Sequence, residues 1–278
     1  MSTPIPIFHV DAFASAPFTG NPAAVCITES QPDSNWMQKI ASEMNLSETA
    51  FVYPDDDSLR LRWMTPTVEV DLCGHATLAT AHVLKELQAK QSLPEFLSEF
   101  WKSGMIQFAS RSGTLTAEFS SDCITLDFPA TQVAPGPLPD GITDALGLRS
   151  GDIVFCGRSR FDLLLQVQSA QIVRSLRPSM QALAECPVRG IIVTATGDLS
   201  DHDFISRFFA PASGVPEDPV TGSAHCALGP YWAPHFGRST LFGYQASARG
   251  GRIRVDVRGD RVRLGGNAVI VSRGTLEV

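Results

Sequence analysis

This 278-residue chain has a faint internal repeat, with one similar stretch of sequence in each half. The first copy reads RWMTPTVEVDLCGHATLATA and the second RFFAPASGVPEDPVTGSAHCAL. Arg62 aligns with Arg207, and three extra residues then enter the second copy. After them Gly74 aligns with Gly222. Both copies read as strand, proline-bearing loop, acidic residue, glycine and helix, which favours an internal duplication with two similar halves.

Each copy places a glycine at the start of a predicted helix, Gly74 before His75 and Gly222 before Ser223. Glycine lets a backbone approach a ligand because it has no Cβ. The first turn of a helix has unpaired N–H groups and a partial positive charge, so it can bind an anion. Ordinary helix capping is the alternative for each copy alone. Together the two copies predict that a carboxylate-bearing substrate binds in a cleft between the halves.

The motif LSETAFV offers a candidate for proton transfer, Glu48, directly before an apolar strand-like run. A carboxylate with apolar neighbours is a suitable general acid/base. The alternative is that Glu48 only begins a surface strand. Asn21 in FTGNPAAV belongs to a predicted tight turn from which its side chain could reach the cleft.

Two further candidates flank Gly74. His75 follows it near the helix N-terminus, where the helix dipole disfavours an imidazolium. We therefore expect a neutral His75 that donates a hydrogen bond or shuttles a proton. Cys73 precedes it and is either a thiolate with a lowered pKa or a small buried apolar residue.

The second copy has its own candidates in PEDPVTGSA. Asp218 either caps the second helix or orients and protonates a substrate. Ser223 lies in a TGSA context that does not match the G-x-S-x-G elbow of hydrolases. We therefore interpret Ser223 as a hydrogen-bond donor and not as a nucleophile.

The composition excludes several classes of function. The net charge of −7 argues against nucleic acid or an anionic membrane surface as the main partner. We expect a cytoplasmic protein, since no secretory signal or membrane-spanning apolar run is visible. The six cysteines form no C-x-x-C pair, and their spacing to histidines is not typical of zinc sites. Free thiols and no metal are therefore expected.

Five motifs, in this order along the chain, resemble the PhzF-like phenazine-biosynthesis isomerases, which share the diaminopimelate epimerase fold. The motifs are DAFASAPFTGNPAAV, LSETAFV, RWMTPTVEVDLCGHATLATA, RFFAPASGVPEDPVTGSA and GGNAVIVSRGTLEV. The resemblance implies an α+β fold of two similar lobes, each a mixed curled sheet around a central helix. It also implies an active site in the cleft between the lobes.

Further expectations follow from the resemblance. The first lobe is expected to cover residues 1–120, with a C-terminal strand at 272–278 that could return to it. The second lobe is expected to cover residues 121–271. The resemblance implies that no cofactor or metal is needed, that the partner is a small carboxylate-bearing substrate, and that a homodimer is possible.

The resemblance also implies roles for individual residues. The phenazine enzyme isomerises trans-2,3-dihydro-3-hydroxyanthranilate, and the glutamate of its SETAFV motif moves a proton between ring carbons. The catalytic residues carried over by motif are Glu48, His75, Asp218 and Ser223. The substrate-binding candidates are Asn21, Cys73, Gly74, Thr221 and Gly222.

One departure from the related epimerase keeps alternatives open. Diaminopimelate epimerase uses one cysteine from each lobe as its acid and base. Here Cys73 stands at the first of these places, and Asp218 occupies the second. The leading hypothesis is a cofactor-independent isomerase that uses Glu48. The alternatives are an amino-acid epimerase or racemase that uses Cys73 with Glu48 or Asp218, and a catalytically idle protein that binds small carboxylates.

Overall fold

The structure is a computed structural model that describes residues 4–102, 104–121 and 123–277. Strands dominate the described chain. The strands are β1 (Ile5–Ala12), β2 (Asn21–Ile27), β3 (Glu48–Asp55), β4 (Ser58–Met64), β5 (Glu69–Val70), β6 (Met105–Ser110), β7 (Gly113–Phe119), β8 (Ile124–Pro129), β9 (Ala134–Pro135), β10 (Ile153–Arg158), β11 (Asp162–Val167), β12 (Gly190–Thr196), β13 (Phe204–Phe209), β14 (Thr240–Gln245), β15 (Gly251–Arg258), β16 (Arg261–Gly266) and β17 (Ala268–Leu276).

Two of the α-helices are long and buried, and the others are shorter or lie nearer the surface. The α-helices are α1 (Ser34–Met44), α2 (Gly74–Ala89), α3 (Ile142–Leu146), α4 (Ala170–Ser175), α5 (Met180–Ala184) and α6 (Gly222–Phe236). Short 3-10 helices lie at Glu95–Phe100, Ser150–Asp152 and Pro211–Ser213.

The chain divides into two compact units. Unit 1 contains the chain up to Asp127 and again from Gly265, and unit 2 is Phe128–Leu264. In unit 1 the C-terminal strand β17 pairs antiparallel with β1. Val278, the last residue of the C-terminal strand expected from the sequence, lies outside the described residues. The expected lobes, 1–120 and 121–271, stay a prediction because compact packing alone does not define a folding domain.

In unit 1, the strands β1, β2, β3, β4, β6 and β7 follow one another as paired neighbours. The successive pairings are antiparallel, parallel, antiparallel, parallel and antiparallel. The helix α1 connects β2 to β3, and α2 lies between β4 and β6 in the chain. Both parallel pairings therefore have a helical crossover, as parallel strands require.

Unit 2 repeats this plan with different residues. The strands β10, β11, β12, β13, β14 and β15 pair in the same antiparallel–parallel alternation. The helices α4 and α5 occupy the first crossover, and α6 occupies the second. The match of strand order, pairing sense and helix position supports the duplication that the repeated stretch predicts.

The helices α2 and α6 are the central helices of their units. α2 contacts β1, β2 and β3, and α6 contacts β14 and β15. Both helices are apolar over most of their circumference, as expected for a helix that is buried on several sides. α6 tolerates Pro230 and Pro234 in its C-terminal half.

Short stretches of the sequence predict a helix over 172–185 that is interrupted at Pro178, a hairpin that turns at 111–113, and a helix cap at Ser34. The first two are confirmed, since α4 and α5 lie on either side of Pro178 and the hairpin between β6 and β7 turns at Arg111 and Ser112. The N-cap of α1 is Asp33, whose carboxylate accepts from the Asn35 and Trp36 amides. Ser34 is instead the first helical residue. Among the described residues, no helix is long and apolar enough to span a membrane.

Candidate functional site

A tight turn before β2 positions Asn21. Gly20 has a φ of 68°, and a Cβ added there would lie 2.2 Å from the Ala12 carbonyl oxygen. The turn therefore requires glycine, because another residue would meet both the strained backbone and this carbonyl. The Asp11 carboxylate accepts a 2.7 Å hydrogen bond from the Phe18 amide inside the same loop. Asn21 is fully buried as a result, at the first position of β2.

Parallel pairing brings Glu48 to the same end of the sheet. Ala23 of β2 lies opposite Glu48, the first residue of β3. The helix α2 packs on these strands, and His75 is its second residue. The next residues of β3 are buried, whereas the Glu48 side chain stays 18% exposed. Glu48 therefore lies at the border between an apolar core and solvent.

Three predicted site residues of unit 1 contact the His75 ring. His75 Nδ1 lies 3.2 Å from Asn21 Nδ2 and 3.5 Å from Cys73 Sγ. His75 Nε2 lies 3.2 Å from Glu48 Oε2. The imidazole therefore touches a carboxylate, a thiol and an amide in a nearly closed environment, because His75 is only 5% exposed.

The protonation of His75 differs from the sequence expectation. Burial alone would lower the pKa of its imidazole, but the charges of Cys73 and Glu48 and the hydrogen bonds to them raise it well above the usual value. Cys73 is a neutral thiol near pH 7, so we assign the rise mainly to Glu48. The expectation of a neutral His75 is wrong, since a carboxylate at 3.2 Å outweighs the partial charge of a helix terminus.

Cys73 is a buried thiol. Burial, followed by the nearby charge of Glu48, raises the pKa of Cys73 to about 11, although His75 opposes this rise. The alternative of a thiolate with a lowered pKa at the helix start is therefore wrong. The other interpretation from the sequence, a small buried residue, agrees with its 6% exposure.

The same cluster contains three possible metal ligands. One donor atom from each of Glu48, Cys73 and His75 lies within 4.8 Å of the others. A soft metal ion would require both the thiol and the imidazole to lose a proton. The raised pKa of Cys73 and of His75 makes both losses costly near neutral pH. The set suits proton transfer better than ligation, and a metal-free site stays a prediction.

In unit 2 the predicted residues are held by hydrogen bonds between polar groups. The Thr221 hydroxyl donates to Asp218 Oδ2 over 2.6 Å. The buried Gln245 accepts from the Thr221 amide over 2.9 Å and donates to the Asp218 carbonyl over 2.7 Å. Gln245 therefore fixes the loop between Asp218 and Gly222, the first residue of α6.

Ser223 is contacted by a residue that the sequence analysis did not identify. Arg189 Nη2 donates to Ser223 Oγ over 3.2 Å. The same guanidinium binds the buried carboxylate of Asp162 through Nε and Nη2, at 2.9 and 2.6 Å. Ser223 has no histidine partner among its described contacts, so its interpretation as a donor and not a nucleophile remains the better one.

An arginine–glutamate ion pair precedes the central helix of unit 1. Arg62 of β4 donates through Nε and Nη2 to the two carboxylate oxygens of Glu69, at 2.8 and 2.7 Å. Arg111 also contacts Glu69, at 2.6 Å. Arg62 and Glu69 are 11% and 12% exposed, so this pair tethers the loop that leads to Cys73.

The equivalent ion pair occurs in unit 2. Arg207 of β13 donates through Nε and Nη2 to Glu217, at 2.7 and 2.8 Å. Its Nη1 also donates to the carbonyls of Leu176 and Val173, at 2.9 and 3.5 Å. The aligned arginines of the repeated stretch thus have the same partner type and the same two-bond geometry.

The first turns of the two central helices are also stabilised in the same way. Thr77 of α2 donates its hydroxyl to the Cys73 carbonyl over 2.6 Å. At the aligned position of α6, His225 Nδ1 lies 2.8 Å from the Thr221 carbonyl and donates to it as a neutral ring. Burial lowers the pKa of His225 to about 4, which keeps this ring neutral.

The structure thus collects the predicted residues into two sets. Asn21, Glu48, Cys73, Gly74 and His75 meet in unit 1, and Asp218, Thr221, Gly222 and Ser223 meet in unit 2. Sequence reasoning missed Gln245, Arg189 and Asp162. The only signal was a charged or amide residue at the end of an apolar strand, which does not reveal a contact 24 to 34 residues away.

These features define a class: an α+β protein with two copies of one strand–helix plan and a cluster of ionisable side chains at the start of one central helix. A family model described as "Phenazine biosynthesis-like protein", PhzC-PhzF, matches residues 10–274. The chain belongs to this family, which confirms the resemblance stated from the motifs.

Similar proteins agree with this assignment. A protein of Halalkalibacterium halodurans named an uncharacterized isomerase is 47% identical over 275 residues, which is 98% of each chain. A crystal structure of a PhzF-family phenazine biosynthesis protein from Enterococcus faecalis has 39% identity and a TM-score of 0.89. It covers 99% of this chain and 100% of that chain. The predicted enzyme class, an isomerase, is confirmed at the level of the family.

The fold is also that of more distant epimerases. A hydroxyproline epimerase from Agrobacterium vitis shares 11% identity with a TM-score of 0.58, over 99% of this chain and 91% of that one. This likeness concerns the fold alone. The predicted α+β fold, with a mixed sheet and a central helix repeated in each half, is confirmed.

Proposed function

We propose that the protein is a cofactor-independent isomerase that moves a proton between two carbons of a small carboxylate substrate, with Glu48 as general acid/base. The observation that carries the proposal is the contact between Glu48 Oε2 and His75 Nε2 at 3.2 Å, in a nearly closed environment. Glu48 combines a partly exposed carboxylate with a buried ionisable partner, which is the setting of a general acid/base.

The proposed chemistry balances within the substrate and Glu48. The carboxylate takes a proton from one carbon, and the electron pair of that C–H bond shifts the double bond. Glu48 then returns the proton to a different carbon. His75, charged near neutral pH because its pKa is raised, forms an ion pair with this carboxylate, since its Nε2 lies 3.2 Å from Glu48 Oε2.

The unit 2 residues are proposed to bind and orient the substrate. Asp218 Oδ2 already accepts from Thr221, so its carboxylate has a fixed direction. Ser223 offers a hydroxyl, and Gly222 offers a backbone amide in the first helical turn, where amides have no partner within the helix. The cleft shared by both sets and the homodimer stay predictions.

The alternative of an epimerase or racemase uses Cys73 with Glu48 or Asp218. Cys73 lies 3.5 Å from His75 Nδ1, which favours it. The pKa of Cys73 near 11 disfavours it, because the thiol would have to act as a base near neutral pH. A protein that only binds carboxylates has no need for the Glu48–His75 contact.

The test measures hydrogen exchange at carbon by NMR in deuterated water. Wild type and Glu48→Gln are incubated with trans-2,3-dihydro-3-hydroxyanthranilate and a panel of amino and hydroxy acids. We expect one compound to be converted or deuterated, and Glu48→Gln to slow this by about 100- to 10,000-fold. Glu43→Gln is the matched control, because Glu43 is an exposed glutamate of unit 1 on α1.

Three results would contradict the proposal. Undiminished exchange by Glu48→Gln removes the role of Glu48. Loss of exchange in Cys73→Ser together with its retention in Glu48→Gln selects the epimerase. Binding of a carboxylate without any exchange selects the binding protein.

A further inference from the structure

Arg189 in unit 2 is held in one orientation by a buried acid. Its Nε and Nη2 bind the two oxygens of Asp162, whose side chain is 2% exposed, while the Arg189 side chain is 38% exposed. Planar two-bond pairing of this kind fixes the plane of a guanidinium. The plane of the Arg189 guanidinium is therefore fixed, although part of the side chain is exposed.

Two aromatic rings and a glycine complete the support of this guanidinium. It lies 5.0 Å from the ring centroid of Phe161 and 5.9 Å from that of Phe208. The Phe208 ring occupies the space beside Gly190, where an added Cβ would lie 2.2 Å from a ring carbon. Only glycine at this position lets the ring lie against the backbone next to Arg189.

The contact with Ser223 sets the direction of the serine hydroxyl. Because Arg189 Nη2 donates to Ser223 Oγ at 3.2 Å, this oxygen acts as an acceptor, and its hydrogen is available for another group. The two Nη1 hydrogens of Arg189 have no acceptor in the described part of the chain. The N–H donors of Arg189 Nη1 and the O–H donor of Ser223 are therefore both available to a ligand, next to the positive charge of the guanidinium.

We infer that Arg189 and Ser223 together bind the carboxylate of the substrate. The inference rests on the proposed function, since it names the residues that select an acidic substrate for the same site. Because Nε and Nη2 are bound to Asp162 and Ser223, the fixed guanidinium offers the two N–H donors of Nη1 to a carboxylate, and the Ser223 hydroxyl adds one more donor. Asp162 balances the charge of Arg189, so selection rests on hydrogen-bond geometry as well as on charge.

The experiment measures binding, which does not depend on catalysis. The dissociation constants of 2-aminobenzoate and of its neutral amide, 2-aminobenzamide, are determined by calorimetry for wild type and variants. Arg189→Met should weaken binding of the acid by about 10- to 100-fold, the value of a charge-assisted hydrogen-bond pair, and change binding of the amide by less than about 3-fold. A purely structural role would weaken both probes equally.

Further variants distinguish a loss of ligand binding from a loss of folding. Arg189→Met leaves the buried Asp162 without its partner, whereas Arg189→Lys keeps a positive charge beside it. The lysine variant should remain folded and still bind the acid about 10-fold more weakly, because an ammonium held by Asp162 has no second nitrogen that can reach the ligand. Arg174→Met removes an ion pair with Asp198 in the same unit and is the matched control, expected to match wild type.

A double-mutant comparison tests the coupling to Ser223. Arg189→Met and Ser223→Ala should together cost less than the sum of their separate effects, because they share one ligand group. Equal affinity of wild type for the acid and the amide, absence of acid binding by wild type, or an unchanged acid affinity in both Arg189 variants would overturn the inference. Arg189-dependent acid binding without carbon exchange would overturn the proposed function alone, and Glu48-dependent exchange with no Arg189 effect would overturn the inference alone.

Discussion

The starts of the two central helices share a scaffold but not their chemistry. Before α2, Arg62 pairs with Glu69, and before α6, Arg207 pairs with Glu217 in the same two-bond geometry. The side chains that follow differ. Unit 1 places ionisable groups in direct contact around His75, whereas unit 2 uses hydroxyl and amide groups around Thr221.

One strand–loop–helix plan therefore carries two different sets of side chains. Where ionisable groups touch, as at Glu48 and His75, each group changes the protonation of the other. Where a carboxylate is held by Thr221, as Asp218 is, the result is a fixed acceptor. We infer that unit 1 handles the proton and that unit 2 holds and orients a substrate.

The largest expected effect comes from removing the arginine of each ion pair. Arg207→Met should lower the free energy of unfolding by about 3–5 kcal/mol, since it removes the two-bond partner of Glu217 and a donor to the Val173 carbonyl, whereas the Leu176 carbonyl keeps Arg177. Arg62→Met should cost less, about 1–3 kcal/mol, because Glu69 keeps its contact with Arg111. Urea denaturation of both variants measures the difference. A larger loss for Arg62→Met would break the assumed equivalence of the two scaffolds.

The next largest effect is expected in the pH dependence of the free energy of unfolding, through His225 in the first turn of α6. The pKa of His225 is lowered to about 4, so the stability it contributes is present above pH 6.5 and is lost as pH falls through 4. Between pH 7 and 4.5 the free energy of unfolding should fall by about 2–3 kcal/mol more in wild type than in His225→Asn.

Thr77 at the aligned position provides the comparison for His225. Thr77→Val removes a donor that does not titrate, so its cost of about 1 kcal/mol should be the same at both pH values. Urea denaturation at pH 7 and pH 4.5 checks both variants. Identical pH profiles for wild type and His225→Asn would contradict the account of His225.

A smaller effect is expected in the titration of His75. Its raised pKa means that its contribution to stability is present below pH 6.5 and is lost as pH rises through the raised value. Glu48→Gln should lower the pKa of His75, because the neighbouring negative charge is removed. NMR of histidine-labelled protein measures this change. Cys73→Ala is the control, and a larger fall there than in Glu48→Gln would show that the thiol sets the charge of His75.

The smallest effect is expected for Cys73 itself. With a pKa of about 11, its thiol should react with iodoacetamide at pH 7.5 more than about 100-fold slower than an ordinary thiol. Mass spectrometry of the modified peptides separates Cys73 from the partly exposed Cys123, Cys156 and Cys186. Cys73→Ser should keep activity within about 3-fold of wild type. Rapid labelling of Cys73 with loss of activity would favour the epimerase alternative.

Sequence patterns predicted the plan of the fold because its signals are local. The glycines that begin α2 and α6, the break at Pro178 and the aligned Arg62 and Arg207 are all visible in short stretches. Each of these features acts on its own backbone or on the loop beside it. The duplicated topology follows from them once the two copies are aligned.

The contacts within the site were less predictable because they join distant parts of the chain. Gln245 reaches Thr221 across 24 residues, and Arg189 reaches Ser223 across 34. The prediction of a neutral His75 was wrong for the same reason. A helix start is visible in the sequence, whereas the 3.2 Å distance to Glu48 depends on the pairing of β2 with β3.

The most direct test of the division between the two units compares Glu48→Gln with Asp218→Asn on one converted compound. Turnover and deuterium incorporation are measured over a range of substrate concentrations. We predict that Glu48→Gln lowers kcat by about 100- to 10,000-fold with KM nearly unchanged. Asp218→Asn should mainly raise KM, by about 10-fold, with a smaller loss of kcat. Loss of exchange in Asp218→Asn with exchange retained in Glu48→Gln would contradict the account.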